Sequence, residues 1–362
     1  MMKRILEVVN GMNMGGIENF VMNVLRNIDT DKYKVDFLYT LKAETYFDQE
    51  ILARGCHIYK VSGRSEGVLS HLKELNTFFK EHKGYDVVHI HYAFSSCFTV
   101  AMYARLYGVK NIIIHSHNTN APHRILHYMF RPLLSLFGTQ FCACSEMAAR
   151  WMFSLPLHKV NIIHNAIDSD KYLYSEIDRK AIREELQIEE DCKVIGCIGR
   201  LAPQKNHVFL LKIMRQVVDR DPKTILLIIG DGPLKGHLLN EVQTLGLADN
   251  VKFLGVRNDI PSLLSAMDLF VLPSLFEGLG IVFIEAQCNG LNCFGTDKHV
   301  PKEAQISELM HYLPLEKLPS EWAHAILNVK PVKDRIRYNR CAKDYGYSME
   351  YEIKQIELLY DK

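Results

Sequence analysis

The sequence predicts an α/β protein with two doubly wound domains, and two observations support this prediction. Short runs rich in β-branched residues alternate with helical patterns along almost the whole chain, as repeated βα units require. Several runs, among them "TILLIIGDG" and "DLFVLPS", are apolar nearly from end to end, which is typical of parallel strands covered on both faces. There are more such runs than a single sheet usually holds, so we expect two sheets.

The size and composition of the chain fit a globular protein with two cores. The 362 residues are 48% hydrophobic and 23% charged, which are ordinary values for a folded protein. A formal net charge of +1 argues against a protein that binds nucleic acid through bulk positive charge. The nine cysteines include no C-x-x-C pair, so we expect reduced, mostly buried thiols rather than a zinc site or a disulfide framework.

The apolar segments of the chain indicate a cytoplasmic protein. The N-terminus carries basic residues, but Glu7 interrupts its short apolar run and no cleavage site follows, so a signal peptide is not expected. No apolar stretch approaches the ~18–20 residues that a membrane span requires. Contact with the inner face of the cell membrane is compatible with this interpretation.

A polar, charged stretch from Asp168 to Asp191 interrupts the alternation of strands and helices. We place the connection between the two domains there. The predicted boundaries are 1–170 for the first domain, 171–345 for the second, and 346–362 for a C-terminal amphipathic helix that crosses back to the first domain.

The loops at strand ends hold the candidate site residues, because ligands in doubly wound sheets bind beyond the carboxyl ends of the strands. After the first strand, Gly15 and Gly16 precede a helix. Glycine lets the backbone approach a phosphate closely, and a helix N-terminus offers free N–H groups. A tight turn that requires positive φ is the alternative interpretation.

Two histidines, His115 and His117, follow another strand candidate, and they point to the same face if the backbone is still extended. A metal site would need a third ligand at a suitable spacing, and none is apparent in the sequence. Either histidine could be structural, but the position at a strand end favours His117 for ligand contact.

In the second domain, the first strand is followed by Gly199 and by two cations, Arg200 and Lys205. Two cations in one strand-end loop can bind a diphosphate. A solvated basic loop is the alternative. Gly230, in "IIGDGPL", ends the next strand in a similar glycine-rich way and could also be no more than a turn.

Two glutamates flank a predicted strand-to-helix turn in "PSLFEGLGIVFIEA". Glu277 lies in the glycine-rich loop, and Glu285 is predicted in the first turn of the helix, where the helix dipole favours a carboxylate. Both could face one ligand, or they could be a solvated loop acid and a residue that only stabilises the helix dipole. A glycosidase-like pair of carboxylates, which requires roughly 5–10 Å between the acids, is not excluded by spacing.

Seven motifs taken together resemble one family: "GGIE", "HSHN", "HNAID", "GRLAPQKN", "GDGPL", "VKFLG" and "PSLFEGLGIVFIEA". In this order and spacing they resemble the retaining, nucleotide-sugar-dependent glycosyltransferases of family 4, in particular the capsular and exopolysaccharide branch of bacteria. The resemblance covers nearly the whole chain. It implies the GT-B fold, in which two Rossmann-like domains face a cleft, the first on the acceptor side and the second binding the nucleotide-sugar.

The resemblance implies a role for each matching residue. Arg200 and Lys205 would bind the diphosphate and stabilise the charge of the departing nucleotide. Glu285 would accept hydrogen bonds from the ribose, Glu277 would contact hydroxyl groups of the donor sugar, and His117 would lie near the reacting carbon. The glycine-rich segments would border the donor through backbone groups, namely those of Gly15, Gly16, Gly199, Gly230, Gly278, Leu279, Gly280 and Ile281.

The expected activity is transfer of a hexose or N-acetylhexosamine from a UDP-sugar to a glycan acceptor, in particular a lipid-linked precursor of a capsular polysaccharide or exopolysaccharide. The resemblance implies retention without a protein nucleophile, and neither a metal nor another cofactor. The D-x-D sequences at Asp29–Asp31 and Asp168–Asp170 lie in polar connecting segments, so we expect neither of these to hold a metal. A nucleotide-sugar epimerase on the same fold and a non-catalytic relative are the alternatives. The joint presence of "GRLAPQKN" and the two glutamates argues against both.

Residues 121–138, "APHRILHYMFRPLLSLFG", combine apolar residues with basic ones. A basic amphipathic helix can lie on an anionic membrane surface, where a lipid-linked acceptor would be found. The alternatives are an ordinary helix with its apolar face on the core and a helix that forms the acceptor side of the cleft.

Overall fold

The strands of the described residues, 2–13, 15–120 and 123–362, form two separate parallel sheets in the computed structural model. Each sheet belongs to its own unit. The first unit comprises Met1–Ala166 and Met349–Lys362, and the second comprises Ile167–Ser348. The predicted doubly wound α/β architecture with two sheets is therefore confirmed.

The first sheet has the order β3-β2-β1-β4-β5-β6-β7. Its strands are β1 (Lys3–Val9), β2 (Tyr33–Tyr39), β3 (Ile58–Lys60), β4 (Val87–Tyr92), β5 (Asn111–Ser116), β6 (Gln140–Ala143) and β7 (Asn161–Ile162). The helices between them are α1 (Gly16–Asn27), α2 (Asp48–Ala53), α3 (Val68–Glu81), α4 (Phe98–Leu106), α5 (Arg124–Phe137) and α6 (Glu146–Met152). The strand order reverses between β1 and β4, so their carboxyl ends border the switch point of this sheet.

The second sheet has the order β10-β9-β8-β11-β12-β13. Its strands are β8 (Val194–Ile198), β9 (Ile225–Ile229), β10 (Val251–Gly255), β11 (Leu269–Leu272), β12 (Asn292–Thr296) and β13 (Met310–Leu313). The helices of this unit are α7 (Glu176–Glu185), α8 (His207–Val218), α9 (Lys235–Thr244), α10 (Ile260–Ala266), α11 (Ile281–Cys288), α12 (Pro319–Asn328) and α13 (Cys341–Asp344). Here the order reverses between β8 and β11.

Strands β7 and β13 are absent from the strands that the sequence predicts. Strand β7 has only two residues, and β13 is mostly half-buried with a polar His311 in its middle. Neither carries the continuous apolar run that identifies the central strands. Both lie at the edge of a sheet, where one side is exposed and the hydrophobic signal is weak.

The last helix, α14 (Met349–Tyr360), packs into the first unit. Its Ile356 and Leu359 join the core formed by α1 and the first strands, and the Nδ2 group of Asn111 donates to the carbonyl oxygen of Leu359 at 2.8 Å. The chain thus returns to the first unit after Ser348, a few residues beyond the predicted boundary at 345. The first segment of this unit ends at Ala166, whereas the predicted boundary is at 170.

The cysteines are free thiols, and all except Cys192 and Cys341 are buried. Within the described part of the chain, no helix is both long enough and apolar enough to cross a membrane.

Glu352, on α14, is a buried carboxyl group that links this helix to the end of the first segment. It is 1% exposed and accepts a hydrogen bond from the backbone N–H of Ala166. Burial raises the pKa of Glu352 from 4.5 to about 8, although the Ala166 hydrogen bond opposes the shift. Between these two pH values the folded chain therefore holds a proton that the unfolded chain has released.

Because the folded chain holds this additional proton, we expect the free energy of unfolding to fall as the pH rises. The stabilisation is complete below pH 4.5 and is lost as the pH rises through about 8, with a slope of at most about 1.4 kcal/mol per pH unit. In urea unfolding at a series of pH values, Glu352→Gln should lack this slope, because glutamine stays neutral. Glu350→Gln, an exposed position on the same helix, is the control. If the free energy of unfolding depends on pH in the same way for Glu352→Gln and the wild type, Glu352 is not the group that holds this proton.

Candidate active site

The candidate residues of the second unit lie at the switch point of its sheet. Strands β8 and β11 are parallel neighbours there. The loop after β8 carries Arg200 and Lys205, and the loop after β11 carries Glu277. Because the carboxyl ends of parallel strands meet at the same edge, residues far apart in the sequence are brought to one place.

Gly199 and Gly230 allow close backbone packing at this edge. A Cβ atom on Gly230, which has φ of +130°, would lie 2.2 Å from the carbonyl oxygen of Gly199. The N–H of Gly199 donates to Ile229 at 2.9 Å and that of Gly230 donates to Gly255 at 2.7 Å. Both N–H groups are therefore used in hydrogen bonds within the protein and are not available to a ligand. What these two predicted donor-binding glycines provide is space for the close approach of a backbone.

Lys205 reaches across the switch point to the other loop. It lies on a 3₁₀ turn, Pro203–Lys205, and its aliphatic chain passes about 3.2–3.4 Å from the position that a Cβ on Gly199 would take. Its Nζ atom forms an ion pair with Oε1 of Glu277 at 2.7 Å. Arg200 is exposed, and its guanidinium has no ion-pair partner among the residues that the structure describes.

Glu277 is a buried carboxylate held by several groups. The residue is 4% exposed, and its Oε1 atom also accepts a hydrogen bond from the hydroxyl of Ser274 at 2.5 Å. Its backbone N–H donates to the carbonyl oxygen of His299 at 2.9 Å. A buried carboxylate is stable only when ion pairs and hydrogen bonds offset its loss of hydration. These contacts also fix the position of the side chain.

The segment Gly278, Leu279, Gly280 and Ile281 leads from Glu277 into α11. Gly280 has φ of +81°, a left-handed conformation that favours glycine, and Leu279 is buried. Helix α11 begins at Ile281, and no side chain caps its start. The helix N-terminus, with its N–H groups and positive dipole end, therefore lies next to the loop that holds Glu277.

The predicted position of Glu285 in the first helical turn is wrong. Because α11 starts at Ile281, Glu285 lies in the second turn, and the first turn contains no acidic residue. The helical spacing of Ile281, Ile284 and Glu285 already indicates the start at Ile281, but Glu285 is the fifth residue of the helix and so lies beyond the 3.6 residues of one turn. Glu285 is half-buried and accepts a hydrogen bond from the hydroxyl of Tyr172 at 2.7 Å. Burial raises the pKa of its carboxyl group, an effect that the Tyr172 hydrogen bond opposes.

In the first unit, Gly15 and Gly16 stand at the start of α1. Gly15 is the residue before the helix and has an extended backbone, with φ of −170°. Neither glycine has positive φ, so the tight-turn interpretation does not apply. A Cβ on Gly15 would lie 2.3 Å from Oε2 of Glu18, whereas one on Gly16, which is exposed, would meet nothing within 4 Å.

His117 directly follows β5 and packs beside His115, with ring centroids 4.1 Å apart. The two rings therefore lie together, as the extended backbone predicts. His117 is 8% exposed, and its Nε2 atom is 2.9 Å from Nδ1 of His91 on β4. His91 in turn is 2.7 Å from Oε2 of Glu7 on β1.

Two further histidines that could join His115 as metal ligands lie on β4. Ring nitrogens of His89, His91 and His115 lie within 4.8 Å of one another, at metal-ligand spacing. The alternation of His89 and His91 in "VVHIHY" is the signal that could have indicated them. His89 is hydrogen-bonded to His115, and His91 is hydrogen-bonded to Glu7, so these ring nitrogens already serve in hydrogen bonds within the protein.

The D-x-D sequences at Asp29–Asp31 and Asp168–Asp170 each lie beside a lysine. Asp29 forms an ion pair with Lys32 at 2.9 Å, and Asp170 forms one with Lys343 at 3.0 Å. Neither sequence is part of a described group of three potential metal ligands.

Both halves of the chain match models of glycosyltransferase families. Residues 178–343 match the family Glycosyl transferases group 1, and residues 14–171 match Glycosyltransferase Family 4. The putative glycosyltransferase EpsF of Bacillus subtilis (strain 168) is 35% identical over 337 residues, which cover 90% of this chain and 87% of that protein.

A second relative has a narrower match. The UDP-Gal:alpha-D-GlcNAc-diphosphoundecaprenol alpha-1,3-galactosyltransferase of Escherichia coli is 29% identical over 246 residues, which cover 64% of this chain and 63% of that protein.

Among solved structures, the crystal structure of Anabaena Alr3699/HepE in complex with UDP and glucose is similar over the whole of both chains. The TM-score is 0.80 and the sequence identity is 20%. At this identity the likeness shows the fold, and the family is shown by the sequence relatives. The chain belongs to glycosyltransferase family 4 and is a glycosyltransferase with the GT-B fold.

Proposed function

We propose that the protein transfers a hexose or N-acetylhexosamine from a UDP-sugar, with retention of the anomeric configuration, to a lipid-linked precursor of a capsular polysaccharide or exopolysaccharide. The observation that carries the proposal is the buried ion pair between Lys205 and Glu277 at the carboxyl ends of β8 and β11. The UDP and the lipid-linked diphosphate in the names of similar proteins support the choice of donor and acceptor.

The cation of this pair suits the chemistry of the departing nucleotide. When the bond between the anomeric carbon and the diphosphate oxygen breaks, negative charge develops on the diphosphate. A cation that is already held in place stabilises this charge without first having to reorganise. Lys205 meets this condition because Glu277 and the packing against Gly199 restrain its side chain. Arg200, on the same loop, would add a second, more mobile cation.

The carboxylate of the pair suits recognition of the sugar. Glu277 is held by Lys205 and Ser274 on the same oxygen, Oε1. A carboxylate in this arrangement is oriented to accept hydrogen bonds from sugar hydroxyl groups. We assign it to sugar positioning and assign no protein nucleophile.

Glu285 and the start of α11 suit the remaining parts of the donor. The N–H groups at the helix start offer donors to phosphate oxygens. One helical turn further on, Glu285 would accept hydrogen bonds from the ribose hydroxyl groups. Tyr172, which the sequence analysis placed in the connecting stretch, orients the carboxyl group of Glu285.

A panel of donors tests the proposal. Thermal shift with UDP-glucose, UDP-galactose, two UDP-N-acetylhexosamines and GDP-mannose selects the donor, and transfer to a diphosphoundecaprenol-linked sugar follows. We expect stabilisation by a UDP-sugar and a product with the anomeric configuration of the donor. Conversion of the UDP-sugar without an acceptor would support an epimerase, and binding without any turnover would support a non-catalytic relative; either result would contradict the proposal.

Replacing Lys205 by Ala should lower kcat for transfer by about 10²–10³-fold, since one preorganised electrostatic contact to the leaving group is lost. The measurement is UDP release in the presence of acceptor. Lys205→Gln keeps a hydrogen-bond donor for Glu277 without the charge and should lose a similar factor. Lys298→Ala, which breaks an exposed ion pair with Glu316 in the same unit, is the matched control. Turnover of both Lys205 variants at the wild-type rate would refute charge stabilisation by Lys205.

Replacing Glu285 by Ala should weaken UDP binding by about 1.5–3 kcal/mol, the usual loss for hydrogen bonds to a charged group. Isothermal titration calorimetry with UDP measures the change. Glu316→Ala removes an exposed carboxylate from the same unit and should bind UDP as the wild type does. An unchanged affinity of Glu285→Ala would remove this residue from the ribose site.

The helix α5 supports membrane contact by the first unit. His127 and Leu134 are the buried residues of this helix, and Phe130 and Phe137 lie beside Phe98 of α4. One face of α5 therefore packs on the unit, as the core-facing alternative requires, whereas other apolar side chains of the helix lie outside this contact. Ile125 is 79% exposed and Met129 is 64% exposed. Residues 121 and 122 of the predicted segment lie outside the described residues.

The charge of α5 favours an anionic surface. The segment Arg124–Phe137 contains two arginines and no acidic residue. Exposed apolar side chains flanked by cations are typical of helices that lie on anionic membranes. We assign this surface to the membrane that would hold the lipid-linked acceptor.

The double variant Ile125→Ser/Met129→Ser should bind vesicles of phosphatidylglycerol and phosphatidylcholine about tenfold more weakly than the wild type, since the apolar part of the contact is lost. Co-sedimentation measures the binding. Leu52→Ser/Leu69→Ser removes two comparably exposed leucines from α2 and α3 and should have no effect. Equal binding by both double variants would exclude α5 as the contact.

A further inference from the structure

Four histidines and a glutamate form a buried group at the switch point of the first sheet. His89 and His91 lie on β4, His115 lies on β5 and His117 follows it. The register of the strands places His91 opposite His115 and Glu7 of β1 opposite His89. Phe20 of α1 packs against the group, 5.1 Å from the His117 ring and 5.0 Å from the His115 ring. Of these residues, the family resemblance implies a role for His117 alone.

A direct relay connects Glu7 to His117 through His91. Oε2 of Glu7 is 2.7 Å from Nε2 of His91, and Nδ1 of His91 is 2.9 Å from Nε2 of His117. Both ring nitrogens of His91 are thus used in the relay. All three residues are buried, with exposures of 2%, 2% and 8% from Glu7 to His117.

The other oxygen of Glu7 is held by the C-terminal helix. Oε1 accepts a hydrogen bond from the hydroxyl of Tyr360 at 2.5 Å. The same hydroxyl is 3.0 Å from Nδ1 of His89, whose Nε2 is 3.2 Å from Nδ1 of His115. Tyr360 therefore anchors the carboxylate and keeps Oε2 directed at His91.

The protonation states in the relay follow from its two ends. Burial raises the pKa of Glu7, but His89 and His91 lower it more, so the carboxyl group stays ionised and can only accept hydrogen bonds. Burial, with His89, lowers the pKa of His91 to about 4 although Glu7 opposes it. Burial, with the neighbouring imidazoles His91 and His89, lowers that of His117 well below 6.5. Both imidazoles are therefore neutral near pH 7.

A neutral imidazole has one donor and one acceptor nitrogen, so each position determines the next. His91 must donate from Nε2 to Glu7, which makes its Nδ1 an acceptor. His117 must then donate from Nε2 to that acceptor, which leaves its own Nδ1 with a lone pair. This Nδ1 atom is buried and has no hydrogen-bond partner among the described residues.

An unpartnered buried acceptor is costly, and it indicates that a ligand group completes it. His115 also has an unpartnered ring nitrogen, Nε2, but that residue is 0% exposed. His117 retains 8% exposure and lies next to Phe20 in the second turn of α1, whose first residue, Gly16, is exposed. Of the two residues, only His117 reaches the surface of the unit, so we take its ring as the one that a ligand meets.

We propose that Glu7 is a positioning residue that sets the tautomer of His117 through His91, so that His117 presents Nδ1 as the hydrogen-bond acceptor for a hydroxyl group of the donor sugar. The choice of a sugar hydroxyl as ligand rests on the proposed function, whereas the tautomer follows from the first unit alone. The relay excludes a phosphate oxygen as the partner of Nδ1, because both atoms would be acceptors.

The tautomer can be read directly. Long-range ¹H–¹⁵N correlation spectra of the full-length protein labelled with ¹⁵N-histidine report which ring nitrogen carries the proton, and His117→Gln identifies the signals of His117. We expect the wild type to show a protonated Nε2 and an unprotonated Nδ1. Glu7→Gln should populate both tautomers, since a glutamine amide can donate to His91 as well as accept, and Glu7→Asp should restore a single tautomer.

Asp36→Asn is the matched control. Asp36 is likewise a buried carboxylate beside an imidazole, 3.0 Å from Nδ1 of His57, and its loss should leave the His117 signals unchanged. A wild-type His117 that is protonated at Nδ1, or a Glu7→Gln spectrum that is identical to that of the wild type in a protein with a cooperative melting transition, would overturn the relay whatever the protein transfers.

A second measurement tests the ligand class. UDP-galactose and UDP-glucose, each singly fluorinated at one hydroxyl position, keep a weak acceptor there but lose the donor. Only positions 3, 4 and 6 are used, because fluorine next to the anomeric carbon slows transfer by itself. We expect one of these analogues to be used by the wild type with a kcat/KM about tenfold below that of the parent donor. Glu7→Gln should lose this discrimination, and discrimination that persists in Glu7→Gln would assign the contact to another residue, such as Glu277. Equal use of all analogues by an active wild type with the expected tautomer would overturn the sugar contact, whereas no transfer from any donor would refute the proposed function and leave the tautomer result standing.

Discussion

The ion pair between Lys205 and Glu277 is the interaction on which the candidate site of the second unit depends. Removing two charges from water is costly, and only close geometry with further hydrogen bonds offsets the cost. The pair meets this requirement through a 2.7 Å contact and the hydroxyl of Ser274. The carbonyl oxygen of Ser274 accepts in turn from the hydroxyl of Thr296 on β12 at 2.8 Å. Two loops and a third strand are therefore held in position around one ammonium group.

Sheet topology explains why such a pair can form between distant parts of the sequence. Parallel order places the carboxyl ends of β8 and β11 side by side, and each strand end opens into a loop that glycine makes compact. The first sheet uses the same principle with different chemistry. There, β1 and β4 bring a carboxylate and two imidazoles together, and α14 closes the group with Tyr360. Each unit thus builds a preorganised polar group from strand ends at its own switch point.

Strand-end positions and single-residue chemistry could be read from the sequence, whereas contacts between strands could not. Lys205, Glu277 and His117 were identified because they follow apolar strand runs. The other residues that hold Glu277 and His117 cannot be identified in this way, for a physical reason. Ser274 has no distinctive pattern, and Glu7 looks like an interruption in an apolar run. His91 becomes informative only when the register places it opposite His115. The start of α11 at Ile281 can be read from its helical spacing, and only the turn that holds Glu285 differs from the prediction.

We propose that the ion pair at β8 and β11 forms the diphosphate and sugar end of a nucleotide-sugar site. A crystal structure with UDP and a non-transferable UDP-sugar analogue would show whether it does. We expect Nζ of Lys205 within hydrogen-bond distance of a diphosphate oxygen, Glu277 in contact with a sugar hydroxyl, and Glu285 as the acceptor of a hydrogen bond from the ribose. A donor bound with its diphosphate away from Lys205, and with the Lys205–Glu277 pair untouched, would contradict it.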